Sequence, residues 1–138
     1  MRKRILFLCT HNSCRSQMAE GLANHFLGNG YEAFSAGTEA TRVNPLAIKV
    51  LAELGIDISQ HRSKTVVEFG GQTFDHAVTL CGDANEKCPL FFGGVQRIHQ
   101  GFDDPSRLSG SEEDVLPEFR RVRDEIKSWI MRYFGEGK

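Results

Sequence analysis

Ile5-Leu6-Phe7-Leu8 is an unbroken apolar run between Arg4 and Cys9, and by Ser16 the pattern has become helical. A strand apolar on every residue has to be covered on both faces, which is the situation of a central strand in a parallel sheet. Met18, Leu22 and Phe26 then recur every four residues, with Ala19, Ala23 and Leu27 one position on, until Gly28 and Gly30 stop the helix. Residues 31–36 form a second expected strand, closed by Gly37. Asn44-Pro45 starts a second helix, with Asn at the cap and Pro in the first turn. Its apolar face is Ala47, Val50, Leu51 and Leu54, and Gly55 ends it.

The alternation continues. Residues 75–80 are a third expected strand leading into Cys81, and 95–99 a weaker fourth. The last helix carries Val115, Phe119, Val122, Ile126, Ile130 and Tyr133 at helical spacing. Ser111 with Asp114 is a capping-box pair, and Pro117 is expected to restart or kink the first turn. Strands alternating with helices specify an α/β fold, a four-stranded parallel sheet with helices on both faces, in three layers. The chain is expected to be one domain over residues 1–138.

Active sites in such sheets form at the carboxyl ends of the strands. That rule brings Cys9, Cys81 and the segment after His99 to one edge. Cys9-Thr10-His11-Asn12-Ser13-Cys14-Arg15-Ser16 is then the strand-to-helix loop with the most chemistry in it. A thiol and a guanidinium at the two ends of one short loop suit covalent chemistry on a tetrahedral oxyanion. Loop N–H groups and the following helix N-terminus can point at the same anion. Arg15 and the helix end favour the thiolate, the nucleophilic form of Cys9. Ser16 is expected to cap the helix and to hydrogen-bond the Cys9 sulfur. The spacing alone fits a buried strand-end cysteine and a solvated arginine as well.

Cys81 and Cys88 follow the third strand. On an intact helix they would be about 10.5 Å apart along the axis, whereas a disulfide needs Cα atoms within about 4.4–6.8 Å. The pair can bond only if the segment unwinds, which Gly82, Asp83, Asn85 and Pro89 permit. Two unrelated thiols in a surface turn remain the alternative. The x4 and x6 cysteine spacings match zinc sites poorly, and His25, His61, His76 and His99 read as surface or strand-end residues. Gly101-Phe102-Asp103-Asp104-Pro105 puts carboxylates in a turn at the same edge. Pro105 biases Asp104 towards extended backbone and so fixes its direction. An Asp-Pro turn by itself fits a structural role as well, but beside the Cys9 loop Asp104 is preferred over Asp103 as proton donor.

The formal charge of −1 gives no general electrostatic case for nucleic acid or acidic membranes. No apolar stretch approaches the roughly 20 residues that span a bilayer. Met1-Arg2-Lys3-Arg4 before an apolar run faintly resembles a signal peptide, but the run is short and enters the Cys9 loop without a cleavage site. A cytoplasmic monomer with no membrane or nucleic-acid partner is the expectation.

Taken together, Cys14-Arg-Ser-Gln-Met-Ala-Glu-Gly21, Val78-Thr-Leu-Cys-Gly-Asp-Ala84, Gly101-Phe-Asp-Asp-Pro105 and Arg121-Val-Arg-Asp-Glu-Ile126 resemble the thioredoxin-coupled arsenate reductases, essentially end to end. That family shares the fold of the low-molecular-weight protein tyrosine phosphatases. The resemblance implies reduction of arsenate to arsenite, in arsenic detoxification, by a triple-cysteine relay. Cys9 would attack arsenate held by Arg15 and the loop from Thr10 to Ser16, with Asp104 helping hydroxide leave. Cys81 would attack Cys9, Cys88 would attack Cys81, and thioredoxin would reduce the Cys81–Cys88 disulfide. Phosphate and sulfate would compete for the anion site. Cys14 would be a buried packing residue.

Two positions depart from that family's pattern. His11 stands where Gly is common, so a positive φ there would reshape the loop, and its imidazole would add charge near the anion. Some members hold potassium with residues matching Asn12, Glu20, Ser35 and an Asp; here Lys64 takes the last position. Its ammonium is expected in the potassium region, with no tightly bound cofactor or metal and activity insensitive to potassium. A low-molecular-weight phosphatase-like phosphomonoesterase, which needs only Cys9, Arg15 and Asp104, is the competing reading. A thiol-based metal or redox sensor would leave Arg15 and Asp104 idle, and a glutathione and glutaredoxin donor would leave Cys88 without a task.

Overall fold

A computed structural model describes residues 2–69, 72–80 and 96–135. Its described elements are β1 (Lys3–Cys9), α1 (Arg15–Phe26), β2 (Tyr31–Gly37), α2 (Pro45–Ala52), β3 (His76–Thr79), β4 (Gln96–His99) and α3 (Glu112–Ile130), with 3₁₀ turns at Val66–Phe69 and Pro105–Arg107. The four strands form one parallel sheet in the order β2-β1-β3-β4. The apolar run therefore lies in the interior of the sheet. Cys81, Cys88 and Val95 lie outside the described residues.

Alternation along β1 divides the interior in two. Ile5 and Phe7 join Met18, Leu22, Val50, Leu51, Phe119, Val122 and Ile126 in the larger core, where α1, α2 and α3 pack on one another. Leu6 and Leu8 face the other way, into a smaller cluster with Ala36, Phe69 and Phe74. The 3₁₀ turn at Val66–Phe69 supplies one wall of it. Ile5, Leu6, Phe7 and Leu8 are fully buried and each contributes about 1.5–3 kcal/mol of burial free energy, so β1 is anchored from both sides up to Cys9.

The helix starts follow the expected chemistry in two cases of three. The Asn44 side chain accepts from the Leu46 N–H with Pro45 in the first turn, and Ser111 and Asp114 form a full capping box. Ser16 does not cap α1. Cys14 holds the cap position with no side-chain cap bond, and the Ser16 hydroxyl is spent elsewhere.

Two expectations about α3 are corrected. The helix runs unbroken through Pro117. Both Pro117 and Glu113, whose carbonyl loses its partner there, are solvent-exposed, so water can replace the missing bond. Tyr133 is not a core residue; it is 42% exposed, and Phe134 is buried in its place. Met131–Gly135 forms a π turn, whose wider spacing advances the inward position by one residue. Tyr133 instead stacks on Trp129 at 5.1 Å.

Candidate active site

The chain leaves β1 towards β2 on one side, and β3 lies on the other. This is a topological switch point, where a crevice opens at the carboxyl ends of the strands. Cys9 ends β1 there, buried at 2% exposure. The loop that follows is held from outside. Thr10 O accepts from the Glu39 N–H and the Thr38 hydroxyl, both at 3.1 Å, His11 O from the Ser63 hydroxyl at 2.9 Å, and Ser13 O from the Asn44 N–H at 2.9 Å. A trans peptide points its C=O and N–H in opposite directions. The outward carbonyls of Thr10 and Ser13 thus turn the N–H groups of His11 and Cys14 inward, the polarity an anion cradle needs.

The left-handed residue in the loop is Asn12, with φ of 50°, and not His11. Asn tolerates that conformation, and its side chain fixes it. Asn12 Oδ1 accepts from Gln17 Nε2 and the Lys64 N–H, both at 2.9 Å, and its Nδ2 donates to Ser16 Oγ at 2.8 Å. Ser16 Oγ is in turn 2.8 Å from Cys9 Sγ. His11 points outward, half exposed, with Nε2 3.8 Å from Glu39. Gly37 is needed where β2 passes the loop: a Cβ would lie 2.6–2.8 Å from Thr10 O, Cys9 O and Asn12 N, all backbone atoms that cannot yield cheaply.

Arg15 is buried at 2% exposure, although it opens a helix. Its Nη1 donates to the carbonyls of Leu80 and Phe102, both at 3.2 Å, and Nη2 to Asp104 Oδ2 at 3.4 Å. One side chain thus joins the ends of β1, β3 and β4. Asp104 is 11% exposed in its side chain, and its other oxygen accepts from the Ser106 N–H at 3.0 Å and hydroxyl at 2.6 Å. Cys9, His11, Ser13, Cys14, Arg15, Asp104 and Ser106 line one small pocket. Asp103 turns away to Arg121. A cavity of about 890 Å³ borders the same turn, with Phe102, Arg121 and Trp129 in its wall, and contains none of these cysteines.

Beneath the loop lies a second polar cluster. Ser35 donates to Glu20 Oε1 at 2.5 Å, Lys64 Nζ lies 3.7 Å from the same oxygen, and His61 Nδ1 is 3.7 Å from Oε2. Burial lowers the Lys64 pKa, opposed by Glu20. His61 also bonds Gln17 at 3.0 Å. Gln17 is a residue that sequence reasoning missed; it shares a helix face with Glu20, Gly21 and Asn24, a mostly polar stripe that gives no local sign of its burial. Burial pushes the Cys14 thiol well above its ordinary range, with the charges of Asp104 and Cys9 adding and Arg15 opposing. Among the described residues no cluster of three His, Cys, Asp or Glu could hold a metal ion, and no helix is long and apolar enough to cross a membrane.

Fold and loop together define an α/β protein with a strand–loop–helix anion cradle at its switch point. Residues 4–136 match the low molecular weight phosphotyrosine protein phosphatase family, and the chain belongs to that family. It is 49% identical over 136 residues to an arsenate reductase of Bacillus subtilis, covering 99% of this chain and 98% of the relative. Among solved structures it is similar to an arsenate reductase in its phosphate-binding state, with TM-score 0.77, 32% identity and 99% of each chain covered. It is also similar to a thioredoxin-dependent arsenate reductase of Corynebacterium glutamicum, with TM-score 0.58, 29% identity, and 92% of this chain but 61% of that one covered.

Proposed function

We propose that this protein is an arsenate reductase, acting in arsenic detoxification, with Cys9 as nucleophile and thioredoxin as electron donor. The convergence of Cys9, Arg15 and Asp104 on one pocket at the switch point carries thiolate chemistry on a tetrahedral oxyanion. What turns that reading from phosphate to arsenate is the end-to-end likeness to a named arsenate reductase.

Cys9 thiolate attacks arsenic, forming an S–As bond. The bond from arsenic to a hydroxyl of the bound arsenate breaks, and that departing hydroxide takes a proton from Asp104 and leaves as water. Arg15 and the N–H groups of the loop from Thr10 to Ser16 balance the charge of the bound oxyanion. Cys81 then attacks the Cys9 sulfur. The electron pair of the S–As bond passes to arsenic, which leaves as arsenite, and a Cys9–Cys81 disulfide remains. Cys88 attacks Cys81 and releases Cys9 as a thiolate, and the dithiol of thioredoxin reduces the Cys81–Cys88 bond. Phosphate and sulfate compete for the cradle because they share arsenate's tetrahedral shape and negative charge.

A potassium ion does not fit the cluster around Glu20. The Lys64 ammonium already stands 3.7 Å from that carboxylate, and Asn12 Oδ1 accepts two N–H bonds. No catalytic step needs such an ion. The test is arsenate-dependent NADPH oxidation with thioredoxin and thioredoxin reductase, in sodium and in potassium buffers. Turnover is expected with thioredoxin, not with glutathione and glutaredoxin alone, and at equal rates with either cation. A dependence on glutathione would remove Cys88 from the mechanism, and faster turnover in potassium would overturn the assignment of Lys64. Family membership also supports a phosphomonoesterase, which would hydrolyse aryl phosphates by the first step alone.

A further inference from the structure

Arg121-Val-Arg-Asp-Glu-Ile126 plays no part in the chemistry above, yet its two arginines are among the most heavily engaged side chains on α3. Arg123 has a packing role: at 8% exposure it donates to Val50 O at 2.9 Å and Glu53 at 2.8 Å, tying α3 to α2. Arg121 reaches the other way. Its Nε pairs with Glu118 at 2.9 Å and its Nη1 with Glu125 at 2.8 Å, while Nη2 pairs with Asp103 at 3.0 Å. The two glutamates lie three residues before and four residues after it on the same helix, so they hold the guanidinium in one orientation. Asp103 comes from the turn after β4.

Asp103 immediately precedes Asp104. The turn is already restrained at Phe102, whose carbonyl accepts from Arg15 and whose N–H donates to Leu80 O at 3.3 Å. Beyond Asp104 it is restrained by the Ser106 bonds. Arg121 supplies the restraint between these two, at the residue that sets the direction in which Asp104 leaves the backbone. An isolated pair this exposed, 41% for Arg121 and 72% for Asp103, is worth little to stability. Its value lies in geometry, because a proton donor must be held within hydrogen-bond reach of the departing oxygen.

We propose that Arg121 is a positioning residue that acts through Asp103 to orient Asp104 for proton delivery to the departing arsenate oxygen. This rests on the reading of Asp104 as the proton donor.

The test is single-turnover formation of arsenite by pre-reduced protein at varied arsenate. Arg121→Ala and Asp103→Asn are each expected to slow the saturated rate by about fivefold, with the half-saturating arsenate concentration changed less than about twofold. In an Asp104→Asn background, Arg121→Ala is expected to change the rate by less than about twofold, because its effect runs through Asp104. Arg120→Ala, which removes a neighbouring α3 arginine's pair with Glu53 at the end of α2, is expected to leave the rate unchanged. An undiminished Arg121→Ala effect in the Asp104→Asn background, or no effect in the wild type, would overturn the proposal. If Asp104→Asn itself leaves the rate intact, the proton-donor reading fails and takes the proposal with it.

Discussion

Cys14 sits one residue before Arg15 and lines the same small pocket as Cys9, and what separates the two thiols is that Cys14 also packs into the main core. It is 3% exposed. Burial is the largest cause of its raised pKa, and the nearby charges of Asp104 and Cys9 act in the same direction. A raised thiol pKa keeps the proton on in the folded state. The stabilisation is complete below the ordinary value of 9.0 and is lost as pH rises through the folded value, since only the unfolded chain ionises in between. At pH 8, iodoacetamide is expected to alkylate Cys9 in the native protein and to leave Cys14 untouched by peptide mass spectrometry. Comparable labelling of both would contradict its place in the core. Its packing role was legible from the sequence only through the family resemblance. The left-handed φ at Asn12 was not legible, because it is fixed by partners at Gln17 and Lys64, one of them 52 residues away.

Elements that look purely structural also set the loop. Asn44 caps α2 with its side chain, and its own N–H holds the Ser13 carbonyl. Asn44→Ala is expected to cost about 1 kcal/mol by loss of the cap, read as a lower urea midpoint at unchanged m-value. An unchanged midpoint would mean that Pro45 alone holds the helix start. The apolar periods made α1, α2 and α3 legible, and the capping residues marked the starts of α2 and α3, because each signal is local. The π turn at Met131–Gly135 was not, since its i→i+5 spacing is chosen by packing on Tyr31 and Trp129 and leaves no local mark. The small cluster on the far side of the sheet was equally hidden, because Phe34, Phe69 and Phe74 meet only in three dimensions.

For the molecule as a whole, strand order does the decisive work. With β1 between β2 and β3, the loop after Cys9 and the end of β3 at Leu80 face one crevice, bridged by Arg15. The alternation of apolar strands and amphipathic helices was enough to anticipate that shared edge. Which groups line it could not be read from spacing alone, since Arg15 and Asp104 are 89 residues apart. The cradle by itself serves a phosphatase as well as a reductase. In the proposed relay, what separates the two is the second thiol, Cys81, the next residue in sequence after Leu80, whose carbonyl Arg15 holds.

The measurement that bears most directly on this is Cys81→Ser, assayed for thioredoxin-coupled arsenate reduction and for aryl phosphate hydrolysis side by side with the wild type. The relay predicts that arsenate turnover is abolished while any aryl phosphate hydrolysis persists at the wild-type rate, because only reduction uses Cys81. Arsenate turnover surviving in the variant, or equal loss of both activities, would contradict it.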